Sequence, residues 1–432
     1  EILRCLVGSE MCIRDRQERE RIIALVKREV VPAIGCTEPI AVALCVAKAT
    51  ELLGCSPESI RVALSANILK NAMGVGIPGT GMIGLPIAIA LGSLIGKSEY
   101  QLEVLKEVTP TAVEEGKALI DKHIIDISLK ENISEKLYIE VAVAGNGNTA
   151  TAIIAGGHTR FVYLAQNDTV LSDIRQSGDN ETEQDCAPDL TLRKVYEFAT
   201  TAPLEEISFI VECARLNKAA AEKSFLDDYG HGLGKSLRGK FEREIIGDSI
   251  FAHMLSYTSG ACDARMAGAM IPVMSNSGSG NQGISATMPV VIFAEENGKS
   301  EEDLTRALML SHLTAIYIKQ SLGRLSALCG CVVAATGSSC GITYLMGGDY
   351  RQISFAVQNM IANLTGMICD GAKPSCALKV TSGVSTAVFS AILAMENKCV
   401  TSVEGIIDED VDKSILNPVS YTHLTLPTTE RV

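Results

Sequence analysis

Three stretches of this chain run without a charged side chain: Asn71–Gly96, Met266–Ala294 and Leu325–Gly348. Each is longer than the roughly 20 residues that cross a bilayer. Each is also broken by Gly clusters and by Pro or Asn/Ser runs, and the second holds Ser275-Asn276-Ser277-Gly278-Ser279-Gly280-Asn281-Gln282-Gly283, too polar for lipid. The expectation is therefore no membrane span but buried helices packed around polar, glycine-rich turns. A chain of 432 residues, 47% of them hydrophobic, can bury such helices without disulfide staples.

Between these stretches the pattern changes. Residues 17–50 read as helix, break, helix. Ile22, Ile23, Leu25, Val26 and Val30 mark the first helix, and Pro32 stops it. Gly35-Cys36-Thr37-Glu38-Pro39 is the break, and Ile40–Leu53 is the second helix. Ile60–Ala72 is apolar but of open type, and Leu85–Ile95 reads as a buried helix. From about 97 to 205 charge rises. Leu137, Ile139, Val141 and Val143 alternate with Tyr138, Glu140 and Ala142, which is strand periodicity. Gly145-Asn146-Gly147-Asn148 is a hairpin turn signal, with strands at Thr149–Ala155, Arg160–Ala165 and Ile125–Lys130. Gln176–Leu190 reads as a polar loop. Helical signals return over 206–410, as in Leu304–Leu322, Phe355–Met367 and Ser385–Met395. The expected class is α+β: a mainly helical core in two parts, 17–96 and 206–418, with a small α/β domain at 97–205 carrying a largely antiparallel sheet.

The ends are set apart from this fold. Met11-Cys12-Ile13-Arg14-Asp15 can be written ATG TGT ATA AGA GAC, whose reverse complement translates as Val419-Ser420-Tyr421-Thr422-His423. One short DNA element read on both strands accounts for both segments, which resemble translated transposon-adapter sequence. Residues 1–16 and 419–432 are expected to be non-native and are excluded from fold reasoning. Twelve of the 14 cysteines remain. With no basic-then-apolar leader order, they read as cytoplasmic thiols, metal ligands or catalytic groups. The net charge of −13 argues against nucleic acid as a partner, and the 4% aromatic content without Trp argues against a base-stacking platform.

Several constellations can carry chemistry. Cys329 and Cys331 form C-x-C, Cys340 follows, and Cys369 and Cys376 lie further on. Thiolates hold iron–sulfur clusters and structural zinc, but these spacings are not a zinc ribbon, and buried free cysteine also packs as a small hydrophobe. Cys36 immediately precedes a helix, where the free N–H groups favour an anion; a lowered thiol pKa there suits a nucleophile or base, against a small residue packed at a turn. Ser275–Gly283 is a nest of N–H groups and hydroxyls fit for a carboxylate or phosphate, without the G-K-[ST] of a P-loop. Gly74–Gly81 lacks the strand–turn–helix context of a dinucleotide loop. A tight turn explains either loop as readily. His158 and His253 stand out among sparse histidines, and Lys70, Lys235 and Lys379 sit in unusual sequence without a Schiff-base motif.

Five motifs taken together resemble the L-cysteine desulfidase family, a relative of the α-part of bacterial iron–sulfur L-serine dehydratases. They are Gly35-Cys36-Thr37-Glu38-Pro39, Lys70 through Gly81, Asn276 through Gly283, Leu328-Cys329-Gly330-Cys331 and Ile368-Cys369-Asp370-Gly371-Ala372-Lys373. The resemblance covers residues 17–418. It implies β-elimination of L-cysteine to pyruvate, ammonia and sulfide on a 4Fe–4S cluster, without pyridoxal phosphate. It implies Cys329, Cys369 and Cys376 as cluster ligands, with Cys331 competing for the first position, and Cys36 as the base. The loop Ser277, Gly278, Ser279, Gly280 and Asn281 is expected to take the substrate carboxylate, with Lys70 and Asn71 as further contacts. The expected partner is a small amino acid, and a homo-oligomer is left open. Two alternatives stand beside this: an L-serine dehydratase on the same cluster, and a non-catalytic iron–sulfur redox sensor.

Overall fold

The computed structural model describes residues 2–133, 135–175, 188–322 and 328–424. The loop expected over Gln176–Leu190 lies outside the described residues as far as 187, as do residue 1 and residues 425–432 of the adapter-like ends.

Eight strands are described: β1 (Pro32–Ile34), β2 (Ser59–Leu64), β3 (Ile125–Leu129), β4 (Tyr138–Gly145), β5 (Asn148–Ala155), β6 (Phe161–Gln166), β7 (Thr169–Asp173) and β8 (Pro272–Met274). Six of them form one sheet in the order β3-β2-β4-β5-β6-β7. Only β2 and β3 run parallel; every other neighbouring pair is antiparallel. The alternation in β4 does what it predicts: Ile139, Val141 and Val143 are buried, and Tyr138, Glu140 and Ala142 are half-buried. Asn146 and Gly147 both adopt positive φ, 50° and 75°, which is the left-handed pair a two-residue hairpin needs.

The segment of open type, 60–72, divides in two. Ile60, Val62 and Leu64 alternate inward and make β2; the helix Ala66–Ala72 follows. β2 lies between β3 and β4, so the first part of the chain supplies a central strand of the sheet. The helices Thr37–Leu53 and Leu85–Leu94 join the same core, with Leu44, Ile87 and Leu91 buried alongside Ile139 and Ile154. The boundary expected at 96/97 thus falls inside one core. Each fully buried side chain of this kind contributes about 1.5–3 kcal/mol.

Two further cores are helical. One unites Ile22, Leu25 and Val26 with the helices Leu192–Thr201, Glu301–Leu322 and Tyr350–Asn363. The other unites Ile250–Met266, Gly280–Glu296 and Cys376–Met395. The helix Gly330–Leu345 packs tightly on Glu301–Leu322: a Cβ on Gly337 would sit 2.2 Å from the Ser311 carbonyl oxygen. Asp412 ties down the last helix, Val411–Leu424, by accepting from the Leu192 amide (2.9 Å) and the Tyr317 hydroxyl (2.7 Å). Among the described residues one helix, Cys376–Met395, is long and apolar enough to cross a membrane, and 56% of its apolar window is buried within the protein. The fold is α+β, with the described parts of the uncharged stretches folded as helices, turns and the short strand β8.

Candidate active site

A short antiparallel pairing assembles one side of the site. β1 pairs with β8, and Ser275 extends the contact by donating from its amide and its hydroxyl to the Val31 carbonyl (2.9 and 2.6 Å). This sets Cys36, at the start of the Thr37–Leu53 helix, against the loop after β8. In that loop Ser277 and Gly278 both have positive φ (48° and 78°), and Asn276 and Ser279 exchange backbone hydrogen bonds at 3.0 Å. Ser279 then caps the Gly280–Glu296 helix, accepting from the Gln282 amide. Below the loop, the Asn276 amide group donates to His312 Nδ1 and to its carbonyl (both 3.1 Å), and His312 Nε2 faces Thr287 Oγ1 at 3.0 Å. Burial pushes His312 down to about 3, so it is a neutral core histidine.

The loop opens on a cavity of about 310 Å³. Cys36, Lys70, Asn71, Ser277, Gly278, Ser279, Asn281, Cys329, Cys369 and Cys376 all line it. Of the expected site residues only Gly280 does not line it; it packs against the Arg265 side chain instead. The cavity also takes in Glu38, His158, Arg265, Gln282, Lys319 and Cys331.

The expectation of a lowered Cys36 pKa is corrected by burial and by Glu38. Cys36 Sγ donates to Glu38 Oε2 at 2.9 Å, and Asn71 Nδ2 donates to Oε1 at 3.0 Å. Burial, then the Glu38 charge, push the Cys36 thiol well above its ordinary range. Burial alone would raise Glu38 too, but the His158 charge, the Cys36 thiol and Arg265 outweigh it and hold the carboxyl below its usual range. A helix start favours a thiolate only where no carboxylate is nearer.

The opposite wall carries the thiols. Cys329 precedes the helix Gly330–Leu345, and Cys376 begins Cys376–Met395. The Cys329 amide donates to the Met367 carbonyl (2.7 Å), and Leu328 bridges to Ile368, which brings Cys369 to the same wall. The Cys331 thiol donates to Cys329 sulfur; this draws Cys329 down and holds Cys331 up. Lys319, nine-tenths buried, faces Cys369, Cys329 and Cys331, and burial lowers its pKa. Lys70 Nζ donates to the Cys369 carbonyl (3.1 Å). Among the described residues, no three His, Cys, Asp or Glu side chains are close enough to hold one metal ion.

Of the other singled-out residues, His253 lies between Asp248 and Glu296 on the surface and Lys235 pairs with Asp228, away from the site. Lys379 stays beside the thiols: it pairs with Asp370, donates to the Ile368 carbonyl (2.9 Å) and is near enough for its charge to act on Cys329 and Cys376. The loop Gly74–Gly81 is a docking turn, with the Gly76 amide donating to the Met266 carbonyl and the Gly79 amide to that of Gly268. Sequence reasoning passed over Arg265 and Lys319. The signal available was a cation near the end of each helix, Arg265 the one Lys or Arg of Ile250–Met266 and Lys319 following the uncharged run Ala307–Ile318.

Residues 99–431 match the family described as serine dehydratase alpha chain. A UPF0597 protein of Bacteroides fragilis is 75% identical, over 96% of this chain and 97% of its own length. Those of Parabacteroides distasonis (62%; 96% of each chain) and Aeromonas hydrophila (46%; 91% of this chain, 90% of its own) are similar along nearly their whole lengths.

Proposed function

The chain belongs to the serine dehydratase alpha-chain family, and from that premise we propose that it is a lyase that eliminates the β-substituent of a small α-amino acid, L-cysteine first among them. The observation that carries this is a single cavity with Cys329, Cys369 and Cys376 on one wall and Cys36, Glu38 and the Ser277–Asn281 loop on the other.

The thiol wall fits a 4Fe–4S cluster by its donor chemistry. Three cysteines, faced by the buried Lys319 amine, suit the thiolate ligation of such a cluster. A cubane's ligands each grip a different iron, so they need not lie within reach of one ion. When bound through Cys329, Cys369 and Cys376, the cluster would supply a Lewis acid for the departing sulfur.

The other wall supplies binding and proton transfer. The Ser277–Asn281 loop is the side on which the substrate carboxylate sits; its Ser277 and Ser279 amides are already given to the Glu29 and Asn276 carbonyls and the Ser277 hydroxyl to Asn276 Oδ1, which leaves the Ser279 hydroxyl hydrogen as a donor. Cys36 takes the α-proton. It is a thiol at rest, hydrogen-bonded to Glu38 Oε2 at 2.9 Å, so the α-proton is handled by the Cys36–Glu38 pair as a unit and not by a free thiolate. Loss of the α-proton and of sulfide leaves aminoacrylate, which hydrolyses to pyruvate and ammonia without the protein.

The test is to reconstitute the full chain anaerobically with iron and sulfide and assay pyruvate from L-cysteine and L-serine side by side. Pyruvate with equimolar sulfide from cysteine is the expected result. Pyruvate from serine alone moves the activity to dehydration. Neither product, from protein carrying a full cluster, overturns the lyase reading.

A further inference from the structure

Arg265 is the charge in this cavity with the least explanation inside the protein. It ends the helix Ile250–Met266, lines the cavity and is 3% exposed. A guanidinium taken out of water ordinarily has a carboxylate partner, because an unpaired buried charge is costly. Among the described residues Arg265 has no ion pair within 4.0 Å; its one hydrogen bond goes from Nη1 to Asn281 Oδ1 (3.0 Å), and its Nε has no partner. The neighbouring backbone is shaped around it. A Cβ on Gly280 would lie 2.2 Å from Arg265 Nε and 2.7 Å from Cζ, so only glycine lets the guanidinium lie against the start of the Gly280–Glu296 helix. Asn281 is itself oriented, with Nδ2 on the Met266 sulfur (3.3 Å), which leaves Oδ1 for the arginine.

We propose that Arg265 is the anchor for the α-carboxylate of the substrate, held with the Ser277–Asn281 loop as one anion receptor, so that the site selects α-amino acids and not amines. This rests on the reading of the cavity as a substrate site and names the group that reading left without a charged partner. A planar fork of N–H donors matches a carboxylate in a way that an ammonium does not. The same anchor explains the positions of its neighbours. Arg265 is close enough for its charge to act on both Cys36 and Glu38, so a carboxylate seated on it brings the adjacent α-carbon toward the Cys36 sulfur. The cavity carries Lys70, Lys136, Arg265 and Lys319 against Glu38 and Glu135, a local cationic excess in a chain of net charge −13.

The experiment uses L-alanine, which has the carboxylate and amine but no β leaving group, and measures its binding to the full chain by calorimetry, with and without reconstituted cluster. Ethylamine, which lacks only the carboxylate, is the paired probe. L-alanine is expected to bind the wild type and ethylamine not. Arg265→Met is expected to weaken L-alanine on the order of 10- to 100-fold, the scale of a charge-assisted hydrogen-bond pair. Arg265→Lys is expected to recover part of that loss. Should Arg265→Met not fold, Asn281→Asp keeps the arginine and gives it a carboxylate partner at Nη1; it is expected to fold with an unchanged melting temperature or a higher one and to lose L-alanine binding. Unchanged L-alanine affinity in folded Arg265→Met or Asn281→Asp overturns the anchor, as does a wild type that binds ethylamine as well as L-alanine. Alanine binding through Arg265 in a protein that makes no pyruvate keeps the anchor and sinks the lyase reading. Pyruvate formation with an alanine affinity indifferent to Arg265 does the reverse.

Discussion

The two walls of the cavity are built in opposite ways. On the Cys36 side the proton-handling groups and the loop are held by side-chain hydrogen bonds, with Arg265 Nε, Asn71 Oδ1 and Gln282 Oε1 left open toward the cavity. Glu38 accepts from Cys36 and Asn71, Asn276 is fixed on His312, and the Ser277–Gly278 turn is closed by two backbone bonds. On the thiol side the ties run through lysines as well as backbone: Cys329 joins Met367 and Leu328 bridges Ile368, Lys70 donates to the Cys369 carbonyl and Lys379 to that of Ile368, and Asp370 pairs with Lys373 and Lys379, while Ile368 itself is 77% exposed. The first wall is preorganised by the fold, as a group that moves protons must be. The second brings its thiols to one place by salt-bridged, lysine-held loop carbonyls and not by buried side-chain hydrogen bonds.

The sharpest way to break this contrast is to remove one sulfur from each wall. Cys376→Ala is expected to abolish cluster retention, read as iron content and visible absorbance after reconstitution. Cys36→Ser is expected to retain the full cluster and lose turnover by about 10²–10⁴-fold, the usual worth of a positioned acid or base. If Cys36→Ser loses iron as readily as Cys376→Ala, the division of labour between the walls fails. If it turns over as the wild type does, Cys36 is not the base.

Glu38→Gln comes next, because it tests what holds Cys36 as a thiol. Without the carboxylate one of the two leading causes of the raised pKa is gone, and burial remains. The thiolate absorbance near 240 nm is then expected to titrate in at lower pH than in the wild type. Stability should respond in the opposite range. Glu38 is held below its ordinary pKa of 4.5, so its contribution is complete above that value and lost as pH falls through the lower folded pKa. The acid limb of the wild-type stability profile is expected to be steeper than that of Glu38→Gln, by urea unfolding between pH 3 and 6. Equal slopes would show that Glu38 is not the ionised partner.

Much of this was legible in the sequence, for reasons that differ between the walls. The helix start after Cys36, the β4–β5 hairpin and the capped loop before Gly280 are local patterns, written in residues a few positions apart. The thiol wall was legible as chemistry, since cysteines announce themselves whatever the fold. What the sequence hid was proximity. Glu38 reads as an ordinary acidic residue of a first helical turn, yet together with burial it holds Cys36 up, opposite to the sign that the helix start alone predicts. Arg265 reads as a helix-ending cation until Gly280 is found packed against it. β2 was unreadable because five residues of alternation inside an apolar run do not separate strand from buried helix; its pairing with β3 and β4 then moved the core boundary.

The smallest expected effect sits where the walls touch. Lys70 was expected to meet substrate, yet its Nζ donates to the Cys369 carbonyl, so it ties the helix Ala66–Ala72 to the thiol-bearing loop. One part-buried hydrogen bond from a charged donor contributes about 1.5–3 kcal/mol at most, and less when solvent can replace it. Lys70→Ala should therefore leave the melting temperature of the protein nearly unchanged, because the buried cores are untouched. It should act on the loop alone, speeding loss of the cluster to a chelator severalfold while L-alanine affinity stays within about twofold. A large loss of L-alanine affinity with normal cluster retention would return Lys70 to the substrate. It would also mean that the thiol wall gets its order from within the 364–379 segment and not from its neighbour across the cavity.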